Sequence, residues 1–198
     1  MSTSSHSWDN LLQASYTFSK SLALSARYRL RIREEDNMPS DGSQTQTIDK
    51  TEHRMRLALA YSATKFNTKT LIDMAYVTFP AKASDKSNSL GWMISQAAGY
   101  NHRLFNVTAN IGYFKTHDYN SRIYMYERNT LYNFSFPMFY GEGMRAALFA
   151  STTPCANVTV IGKIGTTKYF DRDHISSSYQ QINKSMQTDL DLQVKWKF

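Results

Sequence analysis

The run from Leu22 to Arg33 reads L-A-L-S-A-R-Y-R-L-R-I-R, and a period of two sorts it cleanly. Leu22, Leu24, Ala26, Tyr28, Leu30 and Ile32 share one face; Ala23, Ser25, Arg27, Arg29, Arg31 and Arg33 share the other. On a helix the same residues would scatter around every side. The pattern recurs with Leu12, Ala14, Tyr16 and Phe18, with Met55, Leu57, Leu59 and Tyr61, and with Phe105, Val107, Ala109, Ile111 and Tyr113. It is clearest at the end, where Leu190, Leu192, Val194, Trp196 and Phe198 alternate with Asp189, Asp191, Gln193, Lys195 and Lys197. Weaker runs cover 68–80, 89–101, 143–152 and 157–169. The count is about nine strands of roughly 10–13 residues, against about 5–6 for an ordinary strand and about 9–11 for a tilted strand crossing a bilayer.

The connections alternate too. Short turns fall at 19–20, 64–67, 102–103 and 153–155, and long polar loops at 34–49, 81–88, 117–142 and 171–186. Short turns at one end and long loops at the other are the habit of outer-membrane barrels. Tyr16, Phe18, Tyr61, Phe66, Tyr100 and Phe105 flank the short turns, the placement of an interfacial aromatic girdle. The expected fold is an all-β, antiparallel, up-and-down transmembrane β-barrel over 10–198, with 8–10 strands and 1–9 as a disordered or truncated lead-in. The competing fold is a soluble sandwich or closed soluble barrel with the apolar face turned inward. Strand length, aromatic tips and the Arg run count against it.

Composition sets further limits. The 198 residues are 41% apolar, with no run near the ~20 apolar residues that a membrane helix needs. The net charge of +7 favours acidic partners. The single cysteine, Cys155, permits no disulfide framework and no Cys-based zinc site. Thirteen Tyr and eleven Phe mark an ordered, β-rich chain.

The last eleven residues, TDLDLQVKWKF, resemble the terminal strand of bacterial outer-membrane barrels, which ends on an aromatic residue. In those proteins the barrel-assembly machinery reads that strand, which implies an assembly signal at Leu190, Leu192, Val194, Trp196 and Phe198. The segments 119–127 (YNSRIYMYE), 134–145 (FSFPMFYGEGMR) and 169–173 (YFDRD) resemble the C-terminal barrel of Bacteroidota surface proteins, some of which carry a helix-hairpin-helix region ahead of it. No Gly-based helix-hairpin-helix motif occurs here, so no DNA-binding role carries over. The resemblance implies outer-membrane lipid and the assembly machinery as partners.

If Phe198 lies at the short-turn, periplasmic side, counting back starts the strand 11–18 outside the cell. Natural single-chain barrels begin and end in the periplasm with an even strand number. The first nine residues have neither a basic nor an apolar leader segment. These points together predict the C-terminal piece of a longer barrel protein. A strand missed near 122–136 would instead give a complete barrel of eight or ten.

With the apolar face toward lipid, Arg27, Arg29, Arg31 and Arg33 face the lumen beside Arg54 and Arg56 of the next strand. Such a wall serves a pore for small anionic solutes, or closes on acidic partners at Glu52, Asp73, Asp189 and Asp191. A soluble version would bind nucleic acid, but its aromatics lie on the face opposite the arginines, where bases cannot stack between them. His117-Asp118 and 171–174 place His near Asp, yet there is no strained nucleophile turn, so no enzyme and no cofactor are expected. The segment 117–142 is unusually rich in Tyr, Phe and Met. It either extends the strands above the membrane, folds inward over the pore, or adds a strand pair to the wall. Arg122, Glu127 and Arg128 are placed to pair across it, and Gly141 and Gly143 to supply its bend.

Overall fold

The computed structural model describes residues 6–37, 46–80, 86–133, 136–176 and 178–198. Nine long strands make one sheet: β1 (Ser7–Ser19), β2 (Leu22–Asn37), β3 (Gln46–Ser62), β4 (Phe66–Thr78), β5 (Ser89–Asn101), β6 (Phe105–Thr116), β9 (Glu142–Cys155), β10 (Val158–Tyr169) and β11 (Met186–Trp196). Each pairs antiparallel with the next in chain order. Two short strands, β7 (Ile123–Tyr124) and β8 (Met138–Phe139), form a separate hairpin between β6 and β9. No α-helix occurs among the described residues. The fold is all-β, antiparallel and up-and-down. Among the described residues no ladder joins β1 to β11, so both remain edge strands.

The alternation sorts the two faces as the sequence requires. Leu59, Ile94, Ile111, Leu148, Ile164 and Leu192 stand on one face, each at least 44% exposed. Lys50, Glu52, Asp73, Ser95, Asn110, Arg145, Lys163 and Thr167 are buried on the other. The soluble alternative needs the apolar face turned inward; it is the outward one. Aromatic rings cluster at both ends of that outer face. Tyr16 meets Phe18 and Tyr100 meets Phe105 beside the short turns, while Trp92, Tyr113 and Phe170 touch in a row at the opposite end.

The described residues of the segment 117–141 lie against the inner face. Ile123, Met125 and Phe139 join Ala75, Met93, Phe114 and Tyr169 of the wall in one apolar cluster. Phe114 stacks on Phe139 with centroids 4.7 Å apart. The segment leaves over a bend at Gly141, where φ is 85°. That left-handed backbone favours glycine, and a Cβ there would collide with Asp171 and Arg172.

Successive residues of this segment reach different flanks of the wall. Tyr126 meets Arg56 of β3, with the guanidinium carbon 4.6 Å from the ring centroid. Glu127 accepts from Arg145 of β9. In a flat sheet those strands would be about 19 Å apart and on the same side of the segment. Neighbouring side chains of extended chain point opposite ways, so the wall curls around it.

Several boundaries differ from expectation. β1 starts at Ser7, so residues 7–9 belong to the wall rather than to a lead-in; Met1–Ser5 lie outside the described residues. The polar stretch 34–49 is ladder at both of its ends, with Glu34 opposite Asp49 and Asn37 opposite Gln46. Polarity on both faces read as loop, but a ladder needs only backbone. Its tip, 38–45, lies outside the described residues, as does 81–85. The turn expected at 153–155 comes later, because β9 runs to Cys155 and pairs it with Val158. A register shift there accommodates Pro154, which has no N–H for a regular ladder. The loop before β11 holds, among its described residues, one isolated bridge, Ile175 to Ile182, and Met186 already belongs to β11.

Candidate functional site

The arginine wall lies at the β1–β4 end of the inner face. Register sets Arg27 opposite Arg56 and Arg29 opposite Arg54. Alternate residues of one strand are about 6.7 Å apart and cross-strand neighbours about 5 Å. The six guanidinium groups therefore crowd one patch, and like charges directly opposite destabilise a sheet. Three carboxylates around the recess offset them, and Glu35 beyond it reaches Arg33 at 3.7 Å. Asp9 is shared by Arg29 and by Arg31, the latter at 3.0 Å. Glu52 is shared by Arg33 at 3.4 Å and Arg54 at 3.5 Å. Asp73 takes Arg56 at 2.6 Å. Arg27 donates to the neutral side chain of Gln13 at 3.0 Å and has no carboxylate partner among the described residues.

A cavity of about 690 Å³ opens over this wall. The inserted segment roofs it with Arg122, Tyr124 and Tyr126. Arg54 donates to the Arg122 carbonyl at 3.1 Å and lies over the Tyr124 ring. Arg122 donates to the Tyr124 hydroxyl at 3.0 Å and stacks on Tyr119. Aromatic rings thus sit on the arginine face after all. The expectation that they lie only on the opposite face was wrong, because strand periodicity says nothing about a loop that folds inward.

A second charged group lies at the β9–β11 end. Arg145 donates to Glu127 at 2.8 Å and to Asp189 at 2.5 Å, and Lys163 reaches Glu127 at 3.0 Å. The Glu127, Arg145 and Lys163 side chains are all nearly sealed from solvent. Glu127 pairs with the wall, not with Arg122 or Arg128 across its own hairpin; Arg128 lies over Phe149 instead. Asp191 stands opposite Lys163 in register but makes no ion pair among the described residues.

Of the expected acidic partners, the structure brings Glu52 and Asp73 to the arginine wall and Asp189 to the second group. Asp9, Arg145 and Lys163 escaped sequence reading; Glu127 did not, but its partners did. Asp9 had one available signal: it extends the polar positions Gln13, Ser15 and Thr17 by two further steps of two.

At the long-loop end, Asp118 ties the inserted segment to the wall. Ser89 donates to its carboxylate and lies 2.7 Å from the Ser121 hydroxyl, and the Asn120 backbone amide donates to Asp118 at 2.8 Å. Partial burial pushes that carboxyl up, but these hydrogen bonds outweigh it and hold it below the usual range. Arg172 does the same for Asp171. The C-terminal apolar residues Leu190, Leu192, Val194 and Trp196 face outward along the β11 edge, and Phe198 follows the strand end. Cys155 is free and exposed. Among the described residues no group of three or more His, Cys, Asp or Glu converges as metal ligands would.

No protein-family model and no curated protein matches the chain. Among solved structures it is similar to the outer membrane transporter YddB from Escherichia coli, with a TM-score of 0.47 and 9% identity, over 97% of this chain and 32% of that one. It is also similar to the NanC porin, with a TM-score of 0.45 and 10% identity, over 98% of this chain and 94% of that one. The chain therefore spans 32% of the length of the transporter.

Proposed function

We propose that the chain forms a non-enzymatic outer-membrane β-barrel wall whose lumen is Arg-rich and partly filled by its own inserted segment. The segregation of the two faces carries this reading. A contiguous apolar surface far larger than a soluble monomer leaves bare covers the outer face, while buried charge lines the inner one. The aromatic rows fit two interfacial girdles. From Phe66 to Tyr76 on β4, about 34 Å of strand tilted near 40° rises about 25 Å, the height of the apolar band in such barrels.

The lumen reading is supported by the seven arginines against three carboxylates around the cavity, a balance that favours small anionic solutes over cations. The Bacteroidota-type assignment is supported by motifs that fall on the inserted segment, the start of β9 and the end of β10. Outer-membrane lipid and the assembly machinery, the latter through the exposed β11 positions, are the partners this reading assigns.

The test is refolding of the purified chain with and without detergent micelles, followed by circular dichroism. Strand signal that needs detergent is expected. A compact β fold in plain buffer would overturn the membrane reading and favour a soluble polyanion binder.

A further inference from the structure

We infer that the cavity between the β1–β4 wall and the inserted segment is a binding site for a small polyanion, one carrying two or more phosphate, sulfate or carboxylate groups. The inference rests on the barrel reading and deepens it from a general charge preference to a built site. Four observations converge on it.

The first is the charge balance, seven guanidinium groups against three carboxylates around one recess. Two of the carboxylates are each shared between two arginines, and neither Arg27 nor Arg122 pairs with a carboxylate among the described residues. A cavity with protein walls focuses such an excess.

The second is access. Side chains of Arg29, Arg31, Arg33, Arg54 and Arg56 keep between 24% and 39% exposure, so their donors face the recess rather than the packed interior. The third is an orphan donor: the buried Arg33 Nε has no acceptor among the described residues, and a buried unpaired donor costs stability until one arrives.

The fourth is shape. About 690 Å³ lies within the range of small-ligand sites, about 300–1,000 Å³. The side chains that carry the donors leave the wall about 5 Å apart across strands and about 6.7 Å apart along them. One monovalent anion satisfies a single pair of arginines, whereas two linked anionic groups bridge Arg27–Arg56 and Arg29–Arg54 together. Guanidinium forks suit such oxyanions geometrically.

An occupant would also relieve the repulsion between those opposed arginines, so binding should stabilise the fold. The site is distinct from the Glu127–Arg145–Lys163 group, whose charges are already neutralised and sealed.

The experiment is calorimetric titration of the full chain, refolded in neutral detergent, with inorganic pyrophosphate at constant ionic strength. Binding near one site per chain and a raised unfolding midpoint are expected. Arg27→Gln together with Arg122→Gln should weaken it at least 10-fold. Lys65→Gln, which removes a charge at a short turn outside the recess, should leave it unchanged. Equal weakening by both would reduce the effect to net charge and overturn the inference.

Repeating the titration in cardiolipin-containing and in phosphatidylcholine nanodiscs separates two sources of the anion. Loss of binding only with cardiolipin, whose headgroup links two phosphates, identifies a lipid headgroup as the occupant; equal binding in both identifies a soluble solute. A chain that folds in detergent yet binds no pyrophosphate overturns the site and leaves the barrel reading standing. A chain that takes up no strand structure in detergent removes both.

Discussion

Replacing Glu127 with Gln would leave Lys163 without a carboxylate and Arg145 with Asp189 alone. Orphaning buried charge of this kind costs about 3–5 kcal/mol. The expected result is faster amide exchange across 123–127 while the wall strands stay protected; equal loosening of β9 and β10 would mean that the carboxylate holds the wall rather than the segment. Asp118 makes a pH prediction. Its carboxyl is held low in the folded chain, so its contribution is complete above the unfolded value of about 3.9 and is lost as pH falls through the lower folded value. Protection of 118–122 should be flat above about pH 5 and decline below about pH 4, and Asp118→Asn should remove that decline. Residues of this kind were the least legible in sequence. The arginine wall could be read because its members repeat every second residue. The pairing of Glu127 could not, because its partners lie 18 and 36 positions away on strands whose register the sequence does not print. Asp9 was lost because Asn10 on the outward face and Leu11 on the inward face both break the alternation.

At the scale of elements, the alternation located every wall strand and sorted the faces of β1, β2, β3, β6 and β11, since burial by a membrane or by an inserted segment demands a period of two. It could not fix where ladders stop. Backbone pairing runs on past the apolar band in β2 and β3, where no side-chain signal marks the end. The face assignment can be tested by depth. Leu57 lies midway between Tyr61 and His53 on the outer face, opposite Ala26 and Ile72. Leu57→Arg should destabilise the detergent-folded chain by about 2–4 kcal/mol, the cost of a cation at the bilayer midplane. Leu24→Arg, nearer the short turns, should cost less. Arg29→Leu should be tolerated. Urea unfolding of the refolded proteins measures all three, and an undisturbed Leu57→Arg protein would reverse the assignment of faces.

For the whole molecule, parity matters most. Nine antiparallel strands leave β1 and β11 running the same way. Direct closure between them would need a parallel ladder, and antiparallel closure takes an odd number of further strands. The isolated chain in micelles should therefore show strand structure without the compact, heat-modifiable gel band of a closed barrel. A compact band would mean that the two edges have paired in parallel. The inward fold of 117–141 was one of three readings the sequence left open, and only contacts with the curled wall select it. Those contacts also impose an order in time. Lys50 meets Asn120 across 70 positions and Gln193 meets Leu131 across 62, and contacts so far apart in the chain form slowly because the intervening loops must close first. The segment has no docking surface until strands on both flanks stand, so its Tyr-rich hairpin settles last, and interrupted assembly should leave a wall with its arginines bare to water.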